Sequence, residues 1–301
     1  MQIINRDQEK FNVARRLNEF SLNQKPEHTL FVSIHGIRVK WAVYSRDLYH
    51  SLCSFFPANW IELKNNSYDL EVNWLAPDLL GHDSGLWVDS DPDCRFQSEG
   101  ERTFVVQRDF IAVERNNSIL ITADYGREYG LSNLLGELLT VHLMKRYKVL
   151  LHSGAGKNSN DQVYICLGES GAGKTTSVSM VEPNYVLGDD MNLLEFRGDQ
   201  WCVTPALVGQ RIQARELIGQ HFPIKSFCIL EKSLDNQIEE VPKSRAFLAL
   251  SSAFANLFWE RMTSIEVLHA QTTIRSILMQ QRFCNLKFNL NGDVWNYVEQ
   301  T

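Results

Sequence analysis

The chain has 301 residues, 44 % of them apolar and 22 % charged, with a formal net charge of −6 and a pI near 5.8. That balance suits a globular protein of one large or two modest domains. With no basic stripe or Lys/Arg run, it argues against nucleic acid and anionic membrane surfaces as partners.

No apolar run reaches the roughly 18 residues that would cross a bilayer. Met1 to Arg16 lack the apolar stretch of a signal peptide, so a cytoplasmic setting is expected. The six cysteines, Cys53, Cys94, Cys166, Cys202, Cys228 and Cys284, form no CxxC pair. They read as reduced thiols, mostly in the core, rather than zinc ligands or a disulfide framework.

Gln8–Phe20, with Phe11, Ala14, Leu17 and Phe20 three apart, reads as a surface helix packed on its domain. Thr29–His35 and Val39–Tyr44 read as strands around a turn at Gly36. Asp89–Asp93 reads as a loop. Thr103–Gln107, Phe110–Glu114 and Ser118–Thr122 are short apolar runs separated by Arg108–Asp109 and Asn116–Asn117, the pattern of a β-meander. A boundary is expected near Tyr125–Tyr129, giving a smaller β-rich N-terminal domain (1–128) and an α/β domain (129–301).

Leu131, Leu134, Leu135, Leu138, Leu139 and His142 recur at helical spacing, and Lys145–Arg146 suit the helix end. Val149–His152 and Val163–Leu167 read as strands flanking a turn over Gly154–Asp161. Ala172–Val181 reads as a short helix stopped by Pro183, and Tyr185–Gly188 as a strand ending in Asp189–Asp190. Met191–Phe196 continues as a strand to a turn at Arg197–Gln200. Pro223–Leu230 and Ile238–Val241 read as strands, Ser244–Phe258 as a helix, and the region near Leu286–Leu290 as a strand. A final helix is expected over Gly292–Glu299.

Chemistry concentrates at Gly168-Glu169-Ser170-Gly171-Ala172-Gly173-Lys174-Thr175, which fits G-x-x-x-x-G-K-[ST] in full. The glycines let backbone N–H groups wrap a phosphate, Lys174 reaches the β- and γ-phosphates, and the Thr175 hydroxyl is a Mg²⁺ ligand. An apolar strand before the motif and a helix after it supply the required context. Upstream, Gly154-Ala155-Gly156-Lys157 looks like the end of such a loop. It lacks the first glycine, the Ser/Thr after Lys and a following helix, and reads as a hairpin turn instead.

Asp189 follows Lys174 by fifteen positions. One carboxylate of the Asp189–Asp190 pair can hold Mg²⁺ and the other can take a hydroxyl proton. So short a return requires a short helix and an immediate strand, unlike the common P-loop topology.

The segment Gly168–Thr176 with Asp189–Asp190 resembles the nucleotide site of HPr kinase/phosphorylase and of phosphoenolpyruvate carboxykinases. Leu150-Leu151-His152-Ser153 is similar to the segment before the P-loop in that group. The likeness spans about Leu131 to Glu299 and implies an HPr-kinase-like P-loop domain using ATP and Mg²⁺. By resemblance, Gly168, Glu169, Ser170, Gly171, Ala172, Gly173, Lys174, Thr175 and Thr176 bind the nucleotide. Thr175 and Asp190 hold the metal, Asp189 is the base toward the acceptor hydroxyl, and His152 lies near the transferred phosphoryl group. No LEIRGLGI-like segment follows the aspartates, and no counterpart of the carboxykinase manganese or substrate residues is visible. HPr and phosphorylase activity are therefore not implied.

Arg211, Arg215 and Arg245 are candidates for phosphate or acidic substrate, against the ordinary role of solvated arginines. Glu195 either approaches the metal or pairs with a neighbouring arginine such as Arg197, and Trp74, Trp87 and Trp201 read as packing anchors. The leading expectation is an ATP-dependent kinase for a hydroxyl, first a serine of a peptide or protein and second a small metabolite. A nucleotide-binding switch without phosphotransfer is the reading of another class. A homo-oligomer is compatible with all three.

Overall fold

The computed structural model describes residues 6–19, 25–62, 67–76, 94–123, 130–180, 185–206, 217–254 and 262–289, together with Trp295 and Val298. The chain is mixed α/β with two mixed sheets. It divides into two compact units, Met1–Leu134 and Leu135–Thr301. The division lies slightly later than the expected 128/129 boundary, inside a helix rather than before it.

The first unit is built from α1 (Arg6–Glu19), β1 (His28–Ile34), β2 (Ile37–Val43), α2 (Arg46–Phe55), β3 (Ile61–Glu62), β4 (Leu70–Leu75), β5 (Arg95–Glu99), β6 (Arg102–Val106), β7 (Phe110–Arg115) and β8 (Ser118–Ala123). Their order in the sheet is β3-β1-β2-β4-β8-β7-β6-β5. Only the β2–β4 and β4–β8 pairs are parallel. The β1–β2 hairpin turns on His35 and Gly36, both at positive φ (51° and 87°), as a tight two-residue hairpin requires. The expected meander is present as β6-β7-β8. Helix α1 buries Val13, Ala14 and Leu17 against Phe104, Val106, Ile111 and Val113. Its Lys10 is also buried, with Nζ donating to the carbonyls of Gln107 at 2.6 Å and Arg108 at 3.2 Å. Those carbonyls belong to the β6–β7 turn, which the ammonium thereby caps.

The second unit continues α3 (Gly130–Met144) into β9 (Lys148–His152), β10 (Gly154–Lys157), β11 (Val163–Leu167), α4 (Lys174–Ser179), β12 (Val186–Gly188), β13 (Met191–Arg197), β14 (Gln200–Pro205), β15 (Phe222–Lys232), β16 (Gln237–Glu240), α5 (Lys243–Ala253), α6 (Ser264–Gln280) and β17 (Phe283–Phe288). The strand order is β12-β10-β11-β15-β14-β13-β9, with β17 also paired to β15, and β16 to β17.

This order returns on itself. Only Ser153 separates β9 from β10, and only Asp189–Asp190 separate β12 from β13. Strand β9 pairs with β13, and β10 pairs with β12. Two long bent strands therefore run side by side and close the pairing path. Their common bend carries His152, Ser153, Asp189 and Asp190.

Strand β11 is buried on both faces, which explains its unbroken apolar run VYICL. Val163, Ile165 and Leu167 face a core shared with Leu250 and Ala253 of α5 and Ile274 and Ile277 of α6. Tyr164 and Cys166 face a second core with Val178 of α4, Cys228, Cys284 and Phe288.

The segment Gly154–Lys157, expected to be a hairpin turn, is instead strand β10; the turn lies at 158–162, closed by Asn158 N–H to Gln162 O at 2.9 Å. The glycine is there for close approach. A Cβ on Gly154 would stand 2.9 Å from Val178 Cγ1 and 3.2 Å from the Lys174 carbonyl, both on α4.

Helices α2 and α6 and strands β3, β4, β5 and β14 were not individually anticipated from the sequence. The Gly292–Glu299 helix lies mostly outside the described residues, as do the Asp89–Asp93 loop, Trp87 and Phe20.

The tight seat of α4 on β10 generates a stability prediction. Gly154→Ala should cost about 1–3 kcal/mol through overpacking and lower the urea midpoint. A midpoint equal to wild type would show that α4 shifts freely.

Candidate functional site

The P-loop leaves the C-terminal end of β11 at Gly168 and enters α4 at Lys174. Gly171 and Gly173 lie at positive φ, 78° and 104°. Gly173 has a second reason to lack a side chain: a Cβ would come within 2.6 Å of Phe288 Cζ. At Gly168 a Cβ would meet Ala172 Cβ at 2.6 Å. The loop is thus held by close packing at both ends, and an Ala172 N–H to Glu169 O bond of 3.1 Å turns its middle. Glu169, Ser170, Gly171, Thr175 and Thr176 remain exposed around this mouth.

Lys174 is different. Its residue is 7 % exposed, and Nζ donates to the carbonyls of Gly168 at 2.8 Å and Glu169 at 3.2 Å. Burial pushes its ammonium below the usual lysine value, and the Asp190 carboxylate pulls it partway back. The lysine thus spans its own loop, its ammonium held by two backbone carbonyls. Ser177 anchors the first turn of α4 through Oγ to Lys174 O at 2.8 Å, and the Trp295 indole N–H caps Ser177 O at 2.7 Å.

The bend brings the acidic pair to the same region. The Ser153 N–H donates to Asp190 O at 2.7 Å, so pairing continues through the bend. Asn192 is fully buried, and its Nδ2 donates to Ser153 O at 2.7 Å and Oγ at 3.2 Å. This clasp sets the two residues beside it. His152 Nε2 lies 3.0 Å from Asp190 Oδ1, with both side chains part-exposed. Asp189 faces inward at 1 % exposure. The two aspartates, equivalent in sequence, are thus in opposite surroundings.

Among the expected residues, the structure groups Lys174, Asp190 and His152 electrostatically or by contact. The exposed Thr175 hydroxyl and Asp190 carboxylate are hard oxygen donors of the type Mg²⁺ takes. Among the described residues no group of three or more His, Cys, Asp or Glu side chains is arranged to hold a metal. A Mg²⁺ here would share its coordination with phosphate oxygens and water, the usual division for that ion.

The other candidates lie elsewhere or outside the described residues. Glu195 pairs with Lys148 at 3.5 Å and with His221 at 3.7 Å, not with Arg197. Arg245 donates to Asn285 Oδ1 at 2.9 Å and Glu231 Oε2 at 3.3 Å. Arg211 and Arg215 lie outside the described residues. Trp74 and Trp201 are buried anchors, as expected. An apolar cleft of about 600 Å³ between α5 and α6, lined by Phe247, Ile274, Leu278 and Met279, includes none of the motif residues.

Ser153, Asn192 and Phe288 are the site-shaping residues that sequence reasoning missed. Only Ser153 carried a signal, through its place beside His152.

Lys174 supplies a pH prediction. A lysine with a lowered folded-state pKa binds fewer protons folded than unfolded, so stability rises with pH between that lowered value and the ordinary 10.5. Lys174→Met should fold with at least wild-type stability near neutrality and lose this increment in urea titrations at several pH values. An identical pH dependence in both proteins would exclude a buried, strained charge.

No protein-family model matches the chain, and a search of curated proteins returns no match.

Proposed function

We propose that the chain is an ATP-dependent phosphotransferase of the HPr-kinase-like type, passing the γ-phosphoryl group to a hydroxyl, first a serine of a peptide or protein. One observation carries the reading. A complete P-loop with a buried, loop-spanning Lys174 has Asp190 within its electrostatic reach, and Asp190 holds His152 at 3.0 Å.

The loop's N–H groups bind phosphate oxygens, and Lys174 exchanges its carbonyl partners for the more negative phosphate. The exchange strengthens as charge builds on the transferred group, so it favours the transition state over the ground state. A bound Mg²⁺ would supply positive charge against the charge that develops on the transferred group. Thr175 and Asp190 would hold it. Asp189 accepts the acceptor's proton in this reading, and its burial would exclude competing water.

The His152–Asp190 contact favours a second assignment of the base. A carboxylate 3.0 Å from the Nε2 of a part-exposed imidazole can orient that ring toward a hydroxyl proton. Asp189 would then be a structural carboxylate. A small metabolite as acceptor, or a nucleotide switch without transfer, uses the same cradle and differs only in what turns over.

The test offers ATP and Mg²⁺ with candidate acceptors and reads mass gains of about 80 Da, the mass of one phosphoryl group. Lys174→Ala should lower the rate by ~10²–10³ with the fold intact. Asp189→Asn should keep nucleotide affinity and lose ~10²–10⁴ in rate, with the acid limb of the pH–rate profile gone. Asp190→Asn should weaken Mg²⁺-dependent nucleotide binding more than Asp189→Asn does. Full turnover in Asp189→Asn with loss in His152→Gln would transfer the base role to the His152–Asp190 pair. Nucleotide binding without any product would favour the switch.

A further inference from the structure

Three cysteines stand in one row across the sheet behind the P-loop. Cys166 of β11 is in register with Cys228 of β15, and Cys228 with Cys284 of β17, all on parallel strands and in one core. In-register neighbours on adjacent strands point the same way, about 4.8 Å apart, inside the Cα window of a disulfide. The Cys228 and Cys284 sulfurs are already 3.5 Å apart. We propose that Cys228 and Cys284 form a reversible oxidation site whose disulfide weakens nucleotide binding, an effect that rests on the nucleotide-binding reading given above.

The two thiols are unequal. Burial and Cys284 push the Cys228 thiol well above its ordinary range, and burial pushes Cys166 up to about 12. The Cys284 thiol is held below its ordinary range by its contact with the Cys228 sulfur and by the charge of Arg282. A cysteine with more thiolate character is the one that oxidants select. Cys284 also sits where cover is thinnest. Its partner on the far side, Glu240, is the last residue of the four-residue strand β16. Short outer ladders of this kind open at the lowest free energy.

The chemistry balances with a peroxide as oxidant. The Cys284 thiolate attacks one peroxide oxygen, the O–O bond breaks, and with one proton taken up a water leaves; Cys284 becomes a sulfenic acid. The Cys228 sulfur then attacks the Cys284 sulfur. The S–O bond breaks, and the departing hydroxide takes the Cys228 proton as a second water. Two thiols are oxidised to one disulfide and one peroxide is reduced to two waters. A dithiol reductant reverses it by thiol–disulfide exchange.

The route to the P-loop is short. Cys284, Leu286 and Phe288 lie on one face of β17, and the Phe288 ring is what a Cβ at Gly173 would strike. On the other side of the row, Cys166 packs in the same core as Val178 of α4, whose first turn is held by Ser177. Closing 3.5 Å to the roughly 2.05 Å of a disulfide draws β17 toward β15 and moves the ring that seats Gly173.

The full chain is treated with hydrogen peroxide and then with dithiothreitol, and peptide mapping is paired with ATP–Mg²⁺ affinity at each stage. The expected result is a Cys228–Cys284 linked peptide and a five- to tenfold weaker affinity, about 1–1.4 kcal/mol, both reversed by dithiothreitol. Cys228→Ala and Cys284→Ser, two separate ways of removing the pair, should each abolish both changes while binding ATP as well as reduced wild type. Oxidation confined to Cys53 and Cys94 overturns the proposal, as does a linked peptide with unchanged affinity. If reduced wild type binds no ATP, the nucleotide reading fails, and the peptide map alone then decides whether the thiol pair is an oxidation site.

Discussion

The second unit depends on the bend shared by two of its strands. Where β9 passes into β10 and β12 into β13, both chains must turn while still paired, and a turn in paired strands leaves backbone groups seeking partners. Ser153 and Asn192 answer that need, with the Ser153 N–H on Asp190 O and the Asn192 amide on Ser153 O and Oγ. Because both partners are buried, losing either would leave polar groups stranded in the core. The His152–Asp190 contact is therefore set by the backbone, not by two flexible side chains finding each other.

The same bend sorts the two aspartates. Adjacent residues on an extended chain point to opposite sides, so one carboxylate goes into the core and one goes to the mouth of the loop. Lys174, the first residue of α4, completes the arrangement at the far end of the loop that leaves β11, a strand buried on both faces. Its charge lies in a poor dielectric, where each carbonyl or carboxylate partner counts for more than at a surface. The loop and its cation thus follow β11, and the acid sits where β12 passes into β13, all within one closed path.

Legibility in the sequence followed how local each signal is. The Gly168–Thr175 motif and the short return to Asp189 are contiguous, and strands, helix and turns near them were placed within a residue or two. Strand β10 was misread because Gly154-Ala155-Gly156 looks like a turn, whereas Gly154 answers to the approach of α4, a contact no local pattern reveals. Helix α6 was overlooked although Thr263 and Glu266 form a complete capping box. Its buried stripe of Ala270, Ile274 and Ile277 is blurred by exposed Ile265, Leu268 and Met279, which make the helix look apolar all round. The Asn192 clasp had no signal at all, since a lone asparagine in a strand gives no hint of a partner 39 positions earlier.

The parallel pairing of β11 with β15 has a kinetic side. Val163 meets Ile224, so the strand that launches the P-loop cannot acquire that neighbour until the chain has been made well past the motif. Phe288, which seats Gly173, arrives later still. A nascent chain carrying the whole motif would thus hold an unshaped loop beside an exposed apolar strand, the kind of segment that invites misassembly while long-range pairing is awaited. The loop would take its packed shape late, as the β15–β17 end of the sheet closes.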